Sequence, residues 1–305
     1  MLDRLLFLPA RFRSDVARKA AWRRYHRDAD RGYPLARRLF RTRHTYDLNL
    51  QCPRTHSERT NARKLFDHNP IFSEMTDKYR ARAYIDRILG AGTSDRLMVP
   101  ILAYTTSFDD LPADIWQKDV IVKCTHGSGM NCVVPAGDLR ARKQARRKIN
   151  RWLTKIHGAR KSEWCYFDLT PGLIVEPLIP AIRDLKLFFY DGELRFIMPE
   201  NNLGKIPAIS IYTPNWQRLP YEFRNFDTAE CARPDHLDAI IEIADHLAAR
   251  FDMIRVDFLL THDRFYIGEL TMYDGSGLVA FSNYDDDLAF ARFWRQPHLG
   301  FDQKD

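Results

Sequence analysis

Apolar residues recur at helical spacing in three stretches of this chain. The first covers residues 53–90 and includes FSEMTDKYRARAYIDRIL, the second covers 139–157, and the third covers 236–251. This period predicts amphipathic helices that each turn one face to a core. The predicted core faces carry Ala145, Ile149, Trp152, Leu153 and Ile156 in the second stretch, and Leu237, Ile240, Ile241, Ala244, Leu247, Ala248 and Phe251 in the third.

Shorter apolar runs predict strands. DVIVKC and NCVVP flank a glycine loop, LIVEPLI follows them, and DLKLFFYDGELRFIM contains two alternating runs around Asp191-Gly192, which indicates a hairpin. A last pair of runs, residues 253–260 and 265–270, is joined by a short polar turn. Because strands and helices alternate without a regular βαβ repeat, we predict an α+β fold with mainly antiparallel sheets.

Composition is typical of a soluble globular protein with one large or two medium domains. The chain has 305 residues, of which 45% are hydrophobic and 29% are charged. Its five cysteines are dispersed and form no CxxC pair. Dispersed thiols in a chain of this size favour a reducing, cytoplasmic location and argue against a zinc site.

The net charge of +7 is concentrated near the N-terminus. Residues 1–44 hold 13 Lys and Arg against 4 Asp and Glu, a net charge of +9, so the rest of the chain carries −2. A nucleic-acid-binding domain would carry its basic face on the fold itself, so this distribution argues against that class. The apolar run Leu5–Leu8 ends at Pro9 and is too short for a signal-peptide core or a membrane span. Two alternatives remain for this arm: peripheral contact with the anionic inner face of the membrane through residues such as Trp22, or a solvated basic helix that is packed on the body of the protein or partly disordered.

The predicted helix 139–157 is also strongly basic. No acidic residue occurs between Asp138 and Glu163. A solvated face is one interpretation, and a surface that meets a polyanionic acceptor is the other. The cations outside the apolar face are Arg140, Arg142, Lys143, Arg146, Arg147, Lys148, Arg151 and Lys155.

Lys123 lies near the end of the run DVIVKC, just before the loop His126–Gly129. A lysine in a strand needs an anionic partner or access to water, and glycines leave backbone N–H groups unshielded. Together they suit a phosphate group, although an ordinary hairpin is the alternative. For His126, a simple loop residue is favoured over a catalytic base.

Two carboxylates are expected to face each other in the last hairpin. If its turn is centred near Asp263, Asp257 lies opposite Glu269, with Arg255 on the same face. Opposed like charges destabilise a sheet unless something compensates them. Arg255 or solvent is one compensation, and a divalent cation with oxygen ligands is the other. With the Lys123 loop, the pair predicts a site for a nucleotide and Mg²⁺, although no Walker A, Rossmann or protein-kinase motif occurs.

The order of these motifs resembles the ATP-grasp superfamily, and most closely its TupA-like (teichuronopeptide biosynthesis) branch. The resemblance rests on TDKYRAR, VIVKCTHGSGMN, LIVEPLI, DLKLFFYDGELRFI and RVDFLL followed by FYIGELTMYDGSG, over residues 53–277. The upstream piece PRTHSERTNARKLFDHNPIF is similar only in part, because His56, Ser57 and Arg59 depart from the pattern. The resemblance implies two α+β subdomains that clasp ATP, preceded here by a basic helical N-terminal arm.

The resemblance also implies domains and roles. The implied parts are the arm 1–52, an N-terminal region 53–118, a small lid subdomain 119–179 with the glycine loop and hinge, a metal- and carboxylate-binding subdomain 180–297, and a tail 298–305. Arg255 and Lys123 are the implied catalytic residues, and Asp257 and Glu269 the implied Mg²⁺ ligands. The implied ATP-binding residues are Lys78, Lys123, Gly127, Ser128, Gly129, Glu176, Pro177, Leu178, Ile179 and Lys186.

Three assignments keep an alternative. Thr271 stands where the wider superfamily has asparagine, so it is a weak metal ligand and the number of metal ions stays open. Lys186 is equally well explained as a phosphate contact or as half of a cross-strand ion pair. The turn DGSG at residues 274–277 is either a second anion site or an ordinary turn.

The implied function is that of an enzyme, an ADP-forming ligase that makes an amide through an acyl phosphate. Its acceptor would be a carboxylate of a bacterial cell-surface polysaccharide or precursor, such as a uronic acid, and its donor an amino acid or another amine. The alternative is a kinase-like phosphotransferase, or a non-catalytic nucleotide-binding protein of polysaccharide biosynthesis.

Overall fold

The computed structural model describes residues 10–201 and 208–301. Its α-helices are α1 (Ala10–Ala29), α2 (Pro34–Arg41), α3 (His56–Phe66), α4 (Ile71–Thr76), α5 (Ala81–Leu89), α6 (Thr93–Leu97), α7 (Leu139–Trp152), α8 (Leu237–Ala248) and α9 (Tyr284–Phe290). Its strands are β1 (Ala103–Thr105), β2 (Val120–Cys124), β3 (Asn131–Val134), β4 (Leu173–Pro177), β5 (Arg183–Tyr190), β6 (Glu193–Asn201), β7 (Ala208–Ile209), β8 (Ile211–Tyr212), β9 (Arg218–Leu219), β10 (Met253–Leu260) and β11 (Phe265–Thr271).

These residues divide into two compact units. Unit 1 contains the described part of Met1–Gly32 together with Pro70–Arg82 and Val99–Ile179. Unit 2 contains Tyr33–Asn69, Ala83–Met98 and the described residues from Pro180 onward. All pairs between the named strands are antiparallel, which confirms the predicted α+β class.

Unit 1 is built on a four-stranded sheet with the order β1-β4-β2-β3. The two strands around the glycine loop pair as predicted, with Lys123 opposite Asn131. Helix α7 packs on this sheet through the buried Ala145 and Ile149, as its apolar spacing predicts. The helix ends at Trp152 and not at His157, because the chain tightens there into i→i−3 bonds such as Lys155 N to Trp152 O at 2.9 Å.

The helical stretch predicted over residues 53–90 is broken in the structure. Asp77 interrupts it, because its Oδ1 accepts hydrogen bonds from the backbone N–H groups of Tyr79 at 2.9 Å and Arg80 at 3.0 Å. Such local bonds compete with the helical ladder. The N–H of Lys78 donates instead to the carbonyl of Thr125, at 3.1 Å. The break therefore brings Lys78 to the strand that precedes the glycine loop.

Helix α1 packs against the rest of unit 1 through its aromatic residues. The Trp22 ring meets Phe167 edge-on at 5.2 Å, and its Nε1 donates to Asp168 Oδ1 at 3.1 Å. Tyr25 is buried beside them. Of the two alternatives for the arm, packing on the body is what the structure shows for Trp22. The predicted run Leu5–Leu8 and Pro9 lie outside the described residues. Among the residues that the structure describes, no helix combines the length and the apolar character needed to cross a membrane.

Unit 2 is built on a seven-stranded sheet with the path β11-β10-β5-β6-β8-β9 and with β7 paired to β6. The hairpin predicted around Asp191-Gly192 is present, and both turn residues have left-handed backbone angles, φ 50° and 75°. That geometry matches the twist of the flanking strands. Phe188 and Phe196 lie in the core of this unit together with Phe290 of α9.

Candidate functional site

The structure places the predicted site residues in two sets, one on each unit. The set on unit 1 comprises Lys78, Lys123, Gly127, Ser128, Gly129, Glu176, Pro177, Leu178 and Ile179, and the set on unit 2 comprises Lys186, Arg255, Asp257, Glu269 and Thr271.

Lys123 and Glu176 form an ion pair in unit 1. Their Nζ and Oε2 atoms lie 2.6 Å apart, and the side chains are 20% and 8% exposed. Glu176 lies opposite Ile121 on the neighbouring strand, so the lysine side chain reaches it diagonally. The buried carboxylate therefore has the cation that its burial requires. The sequence assigns both residues to ATP binding and does not predict that they bind each other.

Lys78 is bound to the glycine loop. Its Nζ donates to the carbonyl of Gly127 at 2.7 Å. The loop closes where the Cys124 N–H donates to the Met130 carbonyl at 2.9 Å. At its tip Ser128 and Gly129 are exposed, and Gly129 has a left-handed φ of 68°. The tip therefore presents backbone to solvent beside a lysine, the arrangement that a phosphate-binding loop needs.

The other side of the loop packs on the segment after α7. His126 is buried, its Nε2 lies 3.1 Å from the Trp152 carbonyl oxygen, and burial lowers its pKa from the ordinary value of 6.5. A side chain at Gly127 would place its Cβ 2.8 Å from Met130 Sδ and 3.0 Å from His157 Cβ. His126 is thus a buried residue that anchors the loop, which supports the interpretation preferred from the sequence.

The predicted hinge, residues 176–179, spans the end of β4. That strand ends at Pro177, and the N–H of Leu178 donates to the Asp119 carbonyl at 2.9 Å. The Leu178 side chain is 43% exposed, and Ile179 is half-buried. An exposed apolar side chain beside a charged pair is compatible with a site for a flat, partly apolar ring such as adenine.

In unit 2, Asp257 and Glu269 are opposite each other, as the sequence predicts. The register shifts next to this pair: Phe258 is opposite Ile267, which leaves Gly268 as one extra residue in β11. This bulge is needed, because a regular ladder from the turn would place Gly268 opposite Asp257 and would turn Glu269 to the other face.

Arg255 compensates this carboxylate pair. Its Nε and Nη2 bind the two oxygens of Asp257, both at 2.7 Å, its Nη2 also donates to Thr271 Oγ1 at 3.2 Å, and its Nη1 pairs with Asp274. Burial alone would lower the pKa of Arg255, but Asp257 and Asp274 outweigh it and raise that pKa. Burial raises the pKa of Asp257 in spite of the arginine, whereas Arg255 and His56 hold the pKa of Asp274 well below its ordinary value.

Lys186 lies on β5 among several carboxylates. It forms an ion pair with Glu200 on β6, so the structure shows the cross-strand alternative. Burial raises the pKa of Asp184, and the charge of Lys186 opposes that shift. A phosphate contact for Lys186 stays a prediction.

The turn at residues 274–277 is anchored on its carbonyl side. Gly275, Ser276 and Gly277 all have left-handed φ values, between 51° and 64°. Lys64 Nζ donates to the Ser276 carbonyl at 2.7 Å, and Asn61 Nδ2 donates to the Gly277 carbonyl at 3.0 Å. The structure therefore shows a buried turn held by α3, which fits the ordinary-turn alternative.

The chemistry of the donor set fits Mg²⁺. Asp257 and Glu269 place two carboxylates on one face, and Thr271 adds a hydroxyl that now accepts from Arg255. Within residues 10–201 and 208–301 no group of three or more His, Cys, Asp or Glu side chains is arranged to hold a metal ion. One or two carboxylates with substrate phosphates is the usual set for Mg²⁺.

A family model described as TupA-like ATPgrasp matches residues 58–292. The matched span covers most of the chain and includes both sets of predicted site residues. The chain belongs to the TupA-like ATP-grasp family. Membership confirms the predicted ATP-grasp fold, whereas the roles of the individual residues stay predictions.

Solved structures of similar fold include three enzymes. D-alanine–D-alanine ligase from Bacillus anthracis complexed with ATP is 14% identical, with 67% of this chain and 57% of that chain covered and a TM-score of 0.42. L-amino acid ligase from Bacillus licheniformis is 14% identical, with 67% and 42% covered and a TM-score of 0.41. N5-carboxyaminoimidazole synthetase from Staphylococcus aureus complexed with ADP is 10% identical, with 65% and 45% covered and a TM-score of 0.40. The matches thus span less than two thirds of each of these chains. No curated protein matches the chain at a significant level.

The role of α3 in this TupA-like chain was not predicted from the sequence. The residues from His56 to Leu65 are all buried, although most are polar. Arg63 donates to the Met253 carbonyl at 2.6 Å and pairs with Asp252, so the helix supports the start of β10. One signal was readable: Thr55 and Glu58 form a capping box, the THSE pattern that begins a helix.

Proposed function

We propose that the chain is an ATP-dependent carboxylate–amine ligase. Membership of the TupA-like ATP-grasp family carries this proposal, because the matched span contains both the lysine and glycine-loop set and the carboxylate set. In the proposed reaction a substrate carboxylate attacks the γ-phosphorus of ATP, and the bond to the β,γ-bridging oxygen breaks, which yields ADP and an acyl phosphate. An amine then attacks the acyl carbon, loses a proton and expels inorganic phosphate, which leaves an amide.

The residues of unit 1 would bind the nucleotide. Lys123 has three N–H donors and gives one to Glu176, so two can reach phosphate oxygens without breaking that pair. Lys78 would act beside it, and the N–H groups of Gly127–Gly129 would cover the phosphates and exclude water. Glu176 and the hinge residues 177–179 would contact the adenosine.

The residues of unit 2 would act at the reacting end. Asp257 and Glu269 would hold Mg²⁺, which when bound neutralises phosphate charge. The bonds of Arg255 to Asp257, Thr271 and Asp274 use four of its five N–H donors and fix its orientation. Fixed in this way, the guanidinium would stabilise the anionic acyl phosphate. Lys186 would contact a phosphate group after leaving its ion pair with Glu200.

We also propose a class of acceptor and a class of donor for this reaction. The resemblance to the teichuronopeptide branch supports a carboxylate on a bacterial cell-surface polysaccharide or precursor as acceptor, with an amino acid or another amine as donor. The dispersed cysteines and the use of ATP support a cytoplasmic reaction.

Thermal unfolding with and without MgATP tests the nucleotide site first. Ligand at 100 times its dissociation constant should stabilise the protein by about 2.7 kcal/mol. Lys123→Ala and Glu269→Ala should abolish the shift. Lys118→Ala and Glu242→Ala, at exposed positions outside both sets, should keep it. No shift of the unmodified protein at saturating MgATP would contradict the proposal.

Product analysis then separates the reaction classes. A ligase releases ADP and phosphate in equal amounts only when carboxylate and amine are both present. A stable phosphorylated product formed without amine would establish the kinase-like alternative. Nucleotide binding without ADP release, over a panel of uronic acids and amino acids, would favour a non-catalytic nucleotide-binding protein.

A further inference from the structure

A cavity of about 930 Å³ opens on unit 1, apart from all the predicted site residues. The end of α7, the chain after Trp164–Tyr166, residues 106–107 and helix α1 line it. Hydroxyl, amide and carboxylate groups alternate in this lining with apolar side chains such as Phe167. The polar side chains of the lining are Asp15, Arg18, Thr106, Ser107, Asn150, Thr154, Asp168 and Thr170. Its volume lies in the range of small-molecule sites.

A row of cations runs along α7 toward this cavity. Arg140, Lys143, Arg147 and Arg151, here called the cationic row, are all exposed. They follow each other at three- or four-residue spacing, so one charge occurs about every 5.4 Å along the helix axis. In the part of the chain that the structure describes, none of the four forms an ion pair, whereas the neighbouring Arg146 pairs with Asp109 at 2.5 Å.

The cationic row and the cavity share one face of the helix. Asn150, which lines the cavity, comes three residues after Arg147 and therefore lies next to it on the helix surface. The buried face of α7, with Ala145 and Ile149, is turned the other way. A chain-like ligand that enters the cavity at Asn150 therefore meets the cations in sequence.

We propose that this surface binds an acidic polysaccharide chain. The end of the chain would lie in the cavity, where hydroxyl groups of a sugar ring meet Asn150, Thr154 and Thr170. The carboxylates of the following units would lie along the cationic row. The charged side chains at the cavity are Asp15, Arg18 and Asp168, and Arg18 pairs with the two carboxylates at 3.2 and 3.8 Å. The only cation among the described residues of the lining is therefore already compensated, and the carboxylate oxygens can accept hydrogen bonds from sugar hydroxyls. The charge of the ligand is therefore expected on the row and its neutral hydroxyls in the cavity.

Other polyanions fit the surface less well. An anionic membrane would require several exposed apolar side chains beside the cations, and within the described α7 only Leu139 is a large, exposed one, at 75%. Single-stranded nucleic acid would require exposed aromatic rings for stacking, but Trp152, the aromatic residue of α7, packs against the core. That the bound chain is the acceptor of the ligase rests on the proposed function, whereas the binding itself does not.

Calorimetric titration of the full chain without nucleotide tests the inference, with an oligogalacturonate as probe. The fully methyl-esterified oligomer is the matched control, because it has the same sugars without charge. Arg147→Glu/Arg151→Glu should weaken binding by about tenfold or more, because two attractions become repulsions. Lys118→Glu/Arg43→Glu changes the net charge equally at exposed positions elsewhere and should leave binding unchanged. Thr170→Trp, which fills the cavity from an exposed position, should also weaken binding.

Besides an absence of binding, three results would overturn the inference. The first is equal binding of the charged and the esterified oligomer, and the second is equal loss of binding in the control and the row variants. The third is that polyglutamate, DNA or phosphatidylglycerol vesicles bind with the same affinity as the oligogalacturonate, and that Thr170→Trp does not change this affinity. The MgATP-dependent thermal shift, measured on the same variants, separates the two proposals. A retained shift without glycan binding overturns only this inference, and glycan binding without a shift overturns only the nucleotide site.

Discussion

Asp257 and Glu269 lie directly opposite each other on β10 and β11, and a single extra residue, Gly268, makes this possible. The bulge turns the Glu269 carboxylate to the face that also carries Arg255 and Thr271. A side chain at Gly268 would place its Cβ 3.3 Å from the Asp257 carbonyl oxygen and 3.5 Å from Leu259 Cγ. The glycine therefore allows the close approach of the two strands at the carboxylate pair.

We expect Gly268→Val to destabilise the protein by about 1–3 kcal/mol and to reduce the MgATP-dependent thermal shift, because the crowded strand must move and carry Glu269 with it. Deletion of Gly268 is the matched control. It removes the extra residue and leaves Asp257 opposite Glu269 in a regular ladder, so the shift should persist. A shift that survives Gly268→Val and disappears on deletion would contradict this account of the bulge.

Arg255→Met should destabilise the protein by about 3–5 kcal/mol in urea unfolding, because it leaves Asp257 and Asp274 buried without their cation. The arginine side chain is only 11% exposed, so water replaces little of the lost interaction. The double variant Arg255→Met/Asp257→Asn removes a charge of each sign and should recover part of the loss. If it is no more stable than the single variant, the two residues are not energetically coupled.

The two ends of the glycine loop should respond differently to alanine. At Gly127 the new methyl group would lie 2.8 Å from Met130 Sδ and 3.0 Å from His157 Cβ, which is closer than normal van der Waals contact. Met130 or the loop itself must then move, and the MgATP effect should fall. At Gly129 there is open space, and the cost of about 1–2 kcal/mol comes only from the left-handed backbone. Gly129→Asn, which tolerates that backbone, should recover most of the stability, whereas Gly127→Asn should not. Equal behaviour of the two positions in thermal unfolding would argue against packing as the cause.

Stability should fall as the pH decreases from 8 through the range just below 6.5. Burial lowers the pKa values of His44, His126 and His157 from that ordinary value, so the unfolded chain takes up protons there that the folded protein resists. Burial raises the pKa values of the half-buried Asp184 and Asp257 above their ordinary value of 3.8. As the pH falls toward 3.8, the folded protein therefore takes up these two protons before the unfolded chain does, which adds stability and opposes the effect of the histidines.

Urea unfolding at several pH values measures this slope. His126→Gln removes one of the three titrating groups and keeps a side chain that can donate to the Trp152 carbonyl, so the slope should decrease. His262→Gln, at an exposed histidine in the turn between β10 and β11, is the control and should leave the slope nearly unchanged. A slope that is identical in all three proteins would exclude His126 as a source of the pH dependence.

Several parts of this molecule are determined by the sequence alone. The strands around the glycine loop, the Asp191-Gly192 hairpin and the pairing of Asp257 with Glu269 follow from period-two alternation and turn chemistry, which act over a few residues. The ordered motifs from Lys78 to Thr271 also predicted the family. The bulge at Gly268 was not predicted. Asp257 and Glu269 pair as expected, but the ladder between this pair and the turn contains one extra residue in β11.

Only the tertiary structure decided which charges meet and which polar residues are buried. Glu176 is the partner of Lys123 across 53 residues, from a strand that is adjacent only in the sheet. Glu200 lies 14 residues from Lys186 and Asp274 lies 19 residues from Arg255, but the fold selects each of them among several nearby carboxylates. Helix α3 looks like a solvated surface helix, because nearly all its side chains are polar. It is buried because Arg63, Lys64 and Asn61 bind carbonyl groups contributed from residues 253–277. Local sequence cannot specify a hydrogen-bond partner that lies two hundred residues away, and at such positions the fold, not the pattern, sets the chemistry.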